Sequence, residues 1–386
     1  MYKSYIKSKT KINPLYFYAY SIAFVILLYS LGWSYLLPTL SFGLLCFLWI
    51  TVIVALFFGF LLNHSSILPK YKMINYTHNT NIVFFILILL IVIEMIYNKG
   101  IPLLMLIKGI PYNYMKFGIK TLHVFILTFV AFYTIYLFHL FISTKSKKIF
   151  IEFIILFLYP ILIIDRGDLI MTLFAIIIVF LLSIKISFKK YFKIILVALI
   201  FFYIFGVLGN IRMHNYNYVN YFQPTKNFQN SNVPKPFLWP YIYITSPLGD
   251  LQQTIKRGDY IHTLKGFIFA SLIPDAISKH FNYKVNKIKK VASFLVVGTM
   301  YDEAYANMGW IGMTILFFYL IVFIVLYLIL LHRNNSSFAI SGYAILLTVV
   351  VFNLFSNMIV FSGLSFQLAY PLILGFMSKY KFKLYK

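Results

Sequence analysis

The chain of 386 residues is 61% hydrophobic and only 11% charged, and it carries a formal net charge of +25. Soluble domains contain about 25% charged residues, so this composition excludes a soluble globular protein and indicates an integral membrane protein. Without a soluble basic domain, the positive charge does not indicate nucleic-acid binding. The single cysteine, Cys46, excludes a disulfide framework and a cysteine metal site.

Ten apolar segments, most of them close to bilayer length, predict an all-α bundle of about ten transmembrane spans. A bilayer offers no hydrogen-bond partners, so backbone amides within it must pair inside the segment, as they do in a helix. The predicted spans are 15–37, 39–62, 82–97, 121–142, 149–164, 169–184, 191–209, 308–331, 338–356 and 359–377. We expect one integral membrane domain, 1–386, in which the fifth and sixth spans form a hairpin with a tight turn.

Lysine and arginine in the short loops predict the orientation, because short cytoplasmic loops carry an excess of both. With the N-terminus inside, the proposed cytoplasmic loops hold 18 basic residues and no acid. The opposite face holds seven of the nine acids and three of the four arginines. We therefore expect both termini in the cytoplasm and the chemistry on the opposite face.

The longest loop, 210–305, is expected to be extracytoplasmic and to contain short or re-entrant helices. Its first part, 210–245, is rich in asparagine and aromatic residues such as Tyr243, and its prolines exclude one continuous helix. Aromatic faces with amide groups suit sugars, but an aromatic belt at the membrane surface would have the same composition. The apolar stretch 264–277 predicts a short helix on or re-entering the membrane, stopped by Pro274.

Arginine is scarce here, with four residues against 30 lysines. Arg166, Arg212 and Arg257 lie on the proposed outer face. A planar guanidinium grips two phosphate oxygens, which an ammonium cannot do. These positions therefore predict recognition of a lipid phosphate, and we expect the three arginines to converge on one cavity. The structural alternative is pairing with a neighbouring acid, such as Asp168 or Asp259.

A carboxylate or imidazole beside these arginines would serve as a general base. The candidates are Glu303, Asp302, Asp250, Asp168 and His214. Glu303 is favoured, because it lacks a capping spacing and is expected just outside the bilayer. Thr299 and Asp302 have a spacing like that of a capping box, and Asp168 is placed to cap a span beginning at Leu169.

Four more residues have simpler explanations. Glu94 and Glu152 lie near span ends and are expected to extend their carboxylates to the membrane surface. Gly309 and Gly312 are one turn apart on the predicted helix, where small residues let a neighbouring helix approach closely. We expect a packing role for both glycines.

Three segments contain motif residues that indicate a family: IDRGDLIMTLF (164–174), FGVLGNIRMHN (205–215) and GTMYDEAYANMGWIGM (298–313). Together they resemble the oligosaccharide repeat-unit polymerases, the Wzy-type O-antigen and capsule polymerases. That family has an Arg-Gly turn between two spans, a Gly-x-x-Arg-like end before a large external loop, and a Tyr-x-x-x-Gly-x-x-Gly segment entering the next span. The matching residues here are Arg166, Gly167, Gly209, Arg212, Tyr305, Gly309 and Gly312.

The resemblance implies a metal-independent glycosyltransferase of GT-C-like architecture in the bacterial inner membrane. It would transfer a growing glycan from undecaprenyl pyrophosphate onto the next lipid-linked repeat unit, in O-antigen (lipopolysaccharide) or capsule biosynthesis. Glu303, Arg212 and Arg166 would be catalytic. The substrate-binding residues would be Arg257, His214, Asp168, Asp250, Asp302, Tyr305 and Tyr243.

No cofactor or metal is expected, and no nucleic acid. The expected partners are the undecaprenyl-pyrophosphate-linked oligosaccharide and membrane lipids, and the resemblance also suggests a chain-length regulator and a flippase of the same pathway. Two alternatives are a flippase or exporter of lipid-linked oligosaccharide and an O-antigen ligase of similar architecture. A carrier should have ionisable residues near the bilayer midplane and repeated halves, and the sequence indicates neither. A structural scaffold would leave the outer arginines unexplained.

Overall fold

The computed structural model describes residues 12–74, 80–110, 117–184, 187–212, 221–258, 260–283, 288, 290–295 and 297–384, without the side chains of 188, 190, 191, 212 and 379–384. These residues form 17 α-helices, with one isolated β-bridge between Ser34 and Pro224. The helices are α1 (Pro14–Ser30), α2 (Phe42–His64), α3 (Thr80–Tyr97), α4 (Pro102–Ile107), α5 (Leu122–Thr144), α6 (Lys147–Phe157), α7 (Tyr159–Leu162), α8 (Arg166–Ser183), α9 (Phe188–Arg212), α10 (Lys226–Gln229), α11 (Leu238–Arg257), α12 (Leu264–Ser271), α13 (Asp275–Ser278), α14 (Tyr301–Asn334), α15 (Ala339–Phe352), α16 (Ser362–Ser365) and α17 (Ala369–Leu384).

Six of these helices are long and apolar enough to cross a membrane: α2, α3, α5, α8, α14 and the 192–211 part of α9. Helices α1 and α15 are also apolar, but they have only 17 and 14 residues. A 14-residue helix rises about 21 Å, less than the hydrocarbon thickness of about 30 Å. The protein is therefore a membrane-embedded helical bundle, and its number of spans stays a prediction.

The core of the bundle is built around α15. Residues 340–350 of this helix are all buried, and it packs against α1, α5, α8, α14 and α17. Helix α9 is the opposite case, because it packs on α11 and the short helix Lys235–Phe237 and leaves most of its described side chains exposed. Helix α9 thus lies at the periphery, where lipid covers an apolar surface.

The predicted hairpin between the fifth and sixth spans is present, with 163–165 as its turn. Asp165 caps α8, because its carboxylate accepts the N–H of Asp168 at 2.9 Å. The prediction that Asp168 caps a helix beginning at Leu169 is wrong, since the helix begins three residues earlier, at Arg166. Ile164 has a left-handed backbone with φ +64°, which costs about 1–2 kcal/mol.

The apolar stretch 264–277 forms two short helices, α12 and α13, on either side of Pro274. Helix α12 packs against α14. The N–H of Asp275 donates to the carbonyl of Val360 at 2.8 Å, and its carboxylate accepts the N–H of Ser362 at 3.0 Å. These bonds fix the segment to the chain between α15 and α17.

Helix α14 is broken at Gly309, where φ is +60° and ψ is −145°. Tyr301 and Phe317 both contact Tyr18, and Gly312 packs so closely on the Ala304 carbonyl that a Cβ there would overlap it. Residues 301–308 therefore run antiparallel to the start of 310–334, with the turn at Gly309. We call 301–308 the re-entrant arm, and 310–334 is the part long enough to span.

The break has a physical cause in a distant segment. The carbonyls of Ala306 and Asn307 accept the N–H groups of Ile261 at 3.2 Å and Thr263 at 3.1 Å, so the last carbonyls of the arm are satisfied without a continuous helix. The prediction that Gly309 and Gly312 share one helix face is wrong, because that geometry requires an unbroken helix. The packing role of Gly312 holds, but the role of Gly309 is to turn the chain.

Candidate functional site

Three of the predicted carboxylates come together around one lysine. Lys290 Nζ lies 3.2 Å from Asp250 Oδ2 and interacts electrostatically with Asp302 and Glu303. Asp250 comes from α11, the two other acids from the re-entrant arm, and Lys290 from the segment between α13 and α14. We call these four residues the acid–lysine cluster.

Asp250 anchors the cluster to α11. Its side chain is fully buried, its Oδ1 accepts the N–H of Val291 at 2.6 Å, and its Oδ2 faces Lys290 as an ion pair. Burial raises the pKa of Asp250, against the opposing effects of the Val291 N–H and the Lys290 ammonium. Asp250 therefore holds residues 290–291 against the helix.

Asp302 has the predicted capping role. Its carboxylate accepts the N–H and the hydroxyl of Thr299, both at 3.1 Å, and Thr299 Oγ1 accepts the N–H of Tyr301 at 3.2 Å. This reciprocal arrangement satisfies backbone donors at the start of the arm. A Cβ on Gly298 would overlap Asp302 Oδ2 and lie 3.2 Å from Lys290 Nζ, so glycine at this position lets the lysine approach.

Glu303 differs from Asp302 in that one of its carboxylate oxygens has no hydrogen-bond partner among the described residues. Its Oε2 is buried and, within the described part of the chain, accepts no hydrogen bond. The backbone carbonyl of Glu303 is occupied by Asn307 Nδ2 at 2.7 Å. Because both oxygens of Asp302 hold Thr299, Glu303 is the acid of the arm that can take a proton from a bound hydroxyl.

The arm enters the bundle instead of lying on an exposed loop. The Tyr301 ring packs 5.3 Å from the Phe47 ring, and its hydroxyl bonds that of Tyr18, which donates to Thr51 at 3.0 Å. Phe47 and Thr51 are six and ten residues into α2. The acids that follow Tyr301 are thus shielded by surrounding helices, which strengthens electrostatic interactions among them.

A group of aromatic rings lies over the turn at Gly309. Tyr305 is 3% exposed, and its ring centroid is 5.8 Å from that of Tyr260 and 5.7 Å from that of Trp310. The Tyr260 ring also contacts His262 at 4.2 Å. Tyr305 is a packing residue in this arrangement, whereas Trp310 is 37% exposed.

A small cavity of about 20 Å³ lies beneath the cluster, between α1, α2 and α11. Thr299, Tyr301 and Asn353 line it together with aliphatic side chains. The Asn353 Nδ2 is buried and, among the described residues, donates no hydrogen bond. The cavity has room for about one water molecule, which is far too small for a sugar.

Two of the three predicted arginines lie far apart. Trp239 Nε1 donates to Asn210 Oδ1 at 2.7 Å, so the end of α9, with Arg212, lies beside the start of α11. Arg257 is the last residue of α11, 18 residues beyond Trp239, which corresponds to about 27 Å of helix. The backbone of Arg212, in α9, therefore lies near the start of α11, whereas Arg257 lies at its end, and the expected convergence fails for this pair. Arg166 is exposed at the start of α8.

Two more predicted site residues, Tyr243 and Asp168, make their described contacts outside the cluster. Tyr243 stacks on Trp239 at 6.2 Å and contacts Phe205 at 5.6 Å, so it holds α11 against α9. Asp168 is 4% exposed on α8, and its Oδ1 accepts no hydrogen bond within the described residues. His214, Asp259 and the side chain of Arg212 lie outside the described part of the chain.

Sequence reasoning missed Lys290 and misplaced two acids. Lys290 is one of four lysines in 284–290, and nothing in that run indicates which one turns inward. The prediction that Glu94 and Glu152 extend to the surface is wrong, because they are 0% and 4% exposed. Glu94 accepts the hydroxyl of Tyr159 at 2.8 Å, a partner that a single-helix argument does not reveal.

Comparisons with family models, curated proteins and solved structures found no match to this chain.

Proposed function

We propose that the protein is a metal-independent bacterial polysaccharide polymerase of GT-C-like architecture. It transfers a growing glycan from undecaprenyl pyrophosphate onto the next lipid-linked repeat unit. The observation that carries the proposal is Glu303, a shielded carboxylate with an uncommitted oxygen beside Lys290.

The proposed reaction needs a proton acceptor and a stabilised leaving group. The hydroxyl of the incoming repeat unit attacks the anomeric carbon of the growing glycan and gives its proton to Glu303. The bond between that carbon and the phosphate oxygen breaks, and its electron pair leaves with undecaprenyl pyrophosphate. The proton on Glu303 then returns to solvent, so the carboxylate is ready for the next transfer.

Two kinds of cation are available for the pyrophosphate. Lys290 is the cation beside Glu303, and we assign it to the leaving group, with Asp250 holding it in place. Arg166, Arg212 and Arg257 keep the proposed role of recognising lipid phosphate, at separate points of the protein. An ammonium or guanidinium aimed at developing negative charge lowers the barrier most when water is excluded.

The proposal includes the orientation of the protein in the membrane. About ten spans in the bacterial inner membrane would place both termini in the cytoplasm and 210–305 outside. The donor and acceptor lipids would reach the cluster from the outer leaflet. A chain-length regulator and a flippase of the pathway are the proposed protein partners.

A flippase or exporter of lipid-linked oligosaccharide is the second candidate. The broken helix α14 and the buried Glu94 within α3 favour it, because carriers build their sites from discontinuous helices and intramembrane acids. A ligase would use the same chemistry as the polymerase with a different acceptor.

The glycan ladder of a deletion strain separates these functions. Complementation with Glu303→Gln should give acceptors carrying one repeat unit, because the proton acceptor is lost. The matched control Glu152→Gln, in a buried acid on α6, should restore long chains. A normal ladder from well-expressed Glu303→Gln would refute the base assignment, and loss of every unit in the deletion strain would indicate a flippase or ligase.

A further inference from the structure

The small cavity beneath the acid–lysine cluster has a buried amide on its wall. Asn353, the C-cap of α15, is 3% exposed and lines this cavity. Its Oδ1 accepts the N–H of Met358 at 2.9 Å, whereas its Nδ2 donates no hydrogen bond among the described residues. Buried donors are normally bonded to protein or to ordered water, because an unpaired one is destabilising. The Asn353 Nδ2 therefore needs a small acceptor within the cavity.

Thr299 has an acceptor position left on the wall of the same cavity. Its Oγ1 donates to Asp302 Oδ1 at 3.1 Å and accepts the N–H of Tyr301 at 3.2 Å. A hydroxyl oxygen has one proton and two lone pairs, so one lone pair of Thr299 Oγ1 is unused. Donor and acceptor thus line a cavity of about 20 Å³, which holds about one water molecule.

The rest of the cavity wall favours a neutral ligand of this size. None of the ten described lining residues is charged, and seven of them are aliphatic, among them Val25 of α1 and Leu248 of α11. An ion in such surroundings would lack a counter-charge and would be costly to bury. One water molecule can accept a hydrogen bond from Asn353 and donate one to Thr299.

Asn353 is also bonded directly to the chain that enters the re-entrant arm. Its backbone carbonyl accepts the N–H of Met300 at 3.0 Å, one residue before the arm begins. Thr299, the residue before Met300, occupies both carboxylate oxygens of Asp302. The end of α15 therefore fixes the segment that keeps Asp302 engaged and sets the position of Glu303.

We infer that the cavity binds one water molecule between Asn353 and Thr299, and that Asn353 is a positioning residue for Glu303. Asn353 acts through Met300 and through the water bonded to Thr299, without contact with the reacting atoms. The water site depends on the geometry of the cavity alone, whereas the positioning role rests on the proposed glycan transfer.

Cryo-electron microscopy of the wild-type protein in lipid nanodiscs, at a resolution that shows ordered water, tests the site. We expect one density peak about 2.7–3.2 Å from both Asn353 Nδ2 and Thr299 Oγ1. Val25→Ile adds one methylene to the cavity wall and keeps both polar side chains, so the peak should disappear. A wild-type map without the peak, or a peak that persists in Val25→Ile, would overturn the water site.

Synthesis of linked repeat units by purified protein in proteoliposomes tests the positioning role. Asn353→Leu keeps the approximate size of the side chain and removes the amide. Its kcat should fall by about 10-fold or more with KM unchanged, because Glu303 is displaced while the groups that bind substrate remain.

The matched control is Asn357→Leu, in a buried asparagine of the same segment that does not line the cavity. The Asn357 amide donates to the Ser271 carbonyl at 2.8 Å, so its loss should lower Tm but leave kcat within about twofold of wild type. Equal falls in kcat for the two variants would indicate a structural role alone and would overturn the positioning role.

Val25→Ile keeps the test decisive if Asn353→Leu does not fold. Loss of the water alone should lower kcat by about threefold or more, and a wild-type kcat in this variant would refute positioning through the water. If the wild-type protein forms no linked product, the proposed glycan transfer and the positioning role are both refuted, and the wild-type map still decides the water site.

Discussion

Replacing Lys290 with methionine leaves the Asp250 carboxylate buried without its cation. The carboxylate is fully buried, whereas the Lys290 side chain is 27% exposed. Removing one partner of a buried pair costs about 3–5 kcal/mol, and the partial exposure of the lysine places Lys290→Met at the lower end, about 3 kcal/mol.

Replacing the acid of the pair should cost less stability than replacing the lysine. Asp250→Asn keeps an oxygen that accepts the Val291 N–H, and Lys290 can turn towards water, so we expect a loss of about 1 kcal/mol. The double variant leaves no unpaired carboxylate at position 250, and its loss of the lysine beside Asp302 and Glu303 is shared with Lys290→Met. Its cost should fall below the sum of the single costs by about 1–3 kcal/mol.

Denaturant unfolding of the four proteins in detergent micelles measures this cycle. Lys256→Met, in an exposed lysine of the same helix as Asp250, is the control and should change stability by less than about 0.5 kcal/mol. Additive single costs, or a Lys290→Met cost equal to that of the control, would refute a buried ion pair at the centre of the cluster.

Three further outcomes are expected. Gly309→Ala should destabilise the protein by about 1–3 kcal/mol, because φ +60° with ψ −145° is a backbone conformation adopted essentially by glycine alone. Gly258→Ala should cost less, because Gly258 has an ordinary left-handed φ of +72° and its Cβ would meet open space; equal losses of thermal stability would contradict the role of Gly309. Arg212→Lys should lower the polymerisation rate by roughly 10- to 150-fold, since a lost ion–phosphate bond costs about 1.5–3 kcal/mol. Normal chain lengths on a gel would show that this arginine supplies only general positive charge. Alkaline phosphatase fused at Asn230 should be active and at Lys147 inactive, and the reverse pattern would refute the topology.

The helical, membrane-embedded character was predictable because it depends on local composition. Apolar segments must become helices in lipid, and the turn before Arg166 and the capping pattern of Thr299 and Asp302 involve residues three or four apart. Each of these features is encoded within one short stretch, so a single sequence is enough to find it.

The missed features depend on contacts between distant segments. Mean hydropathy does not reveal the break at Gly309, because Ile261 and Thr263 supply the hydrogen bonds that end the arm. Glu94 meets His123 and Tyr159, 29 and 65 residues away in sequence. Helix packing decides such pairings, and they cannot be read from one chain without its fold.

Lys290 illustrates the same limit within the candidate site. The scarcity of arginine predicted that guanidinium groups would be the cations of the site. The cation that lies among the three clustered acids is instead a lysine from a lysine-rich segment. Its selection depends on Asp250, which fixes residues 290–291 from another helix.

The most direct measurement uses purified protein in proteoliposomes with a single lipid-linked repeat unit as substrate. We expect wild type to form products of two or more units with release of undecaprenyl pyrophosphate, detected by mass spectrometry, and Glu303→Gln to form none. Movement of the substrate between leaflets without any linked product would refute the proposed glycan transfer and assign the protein to transport.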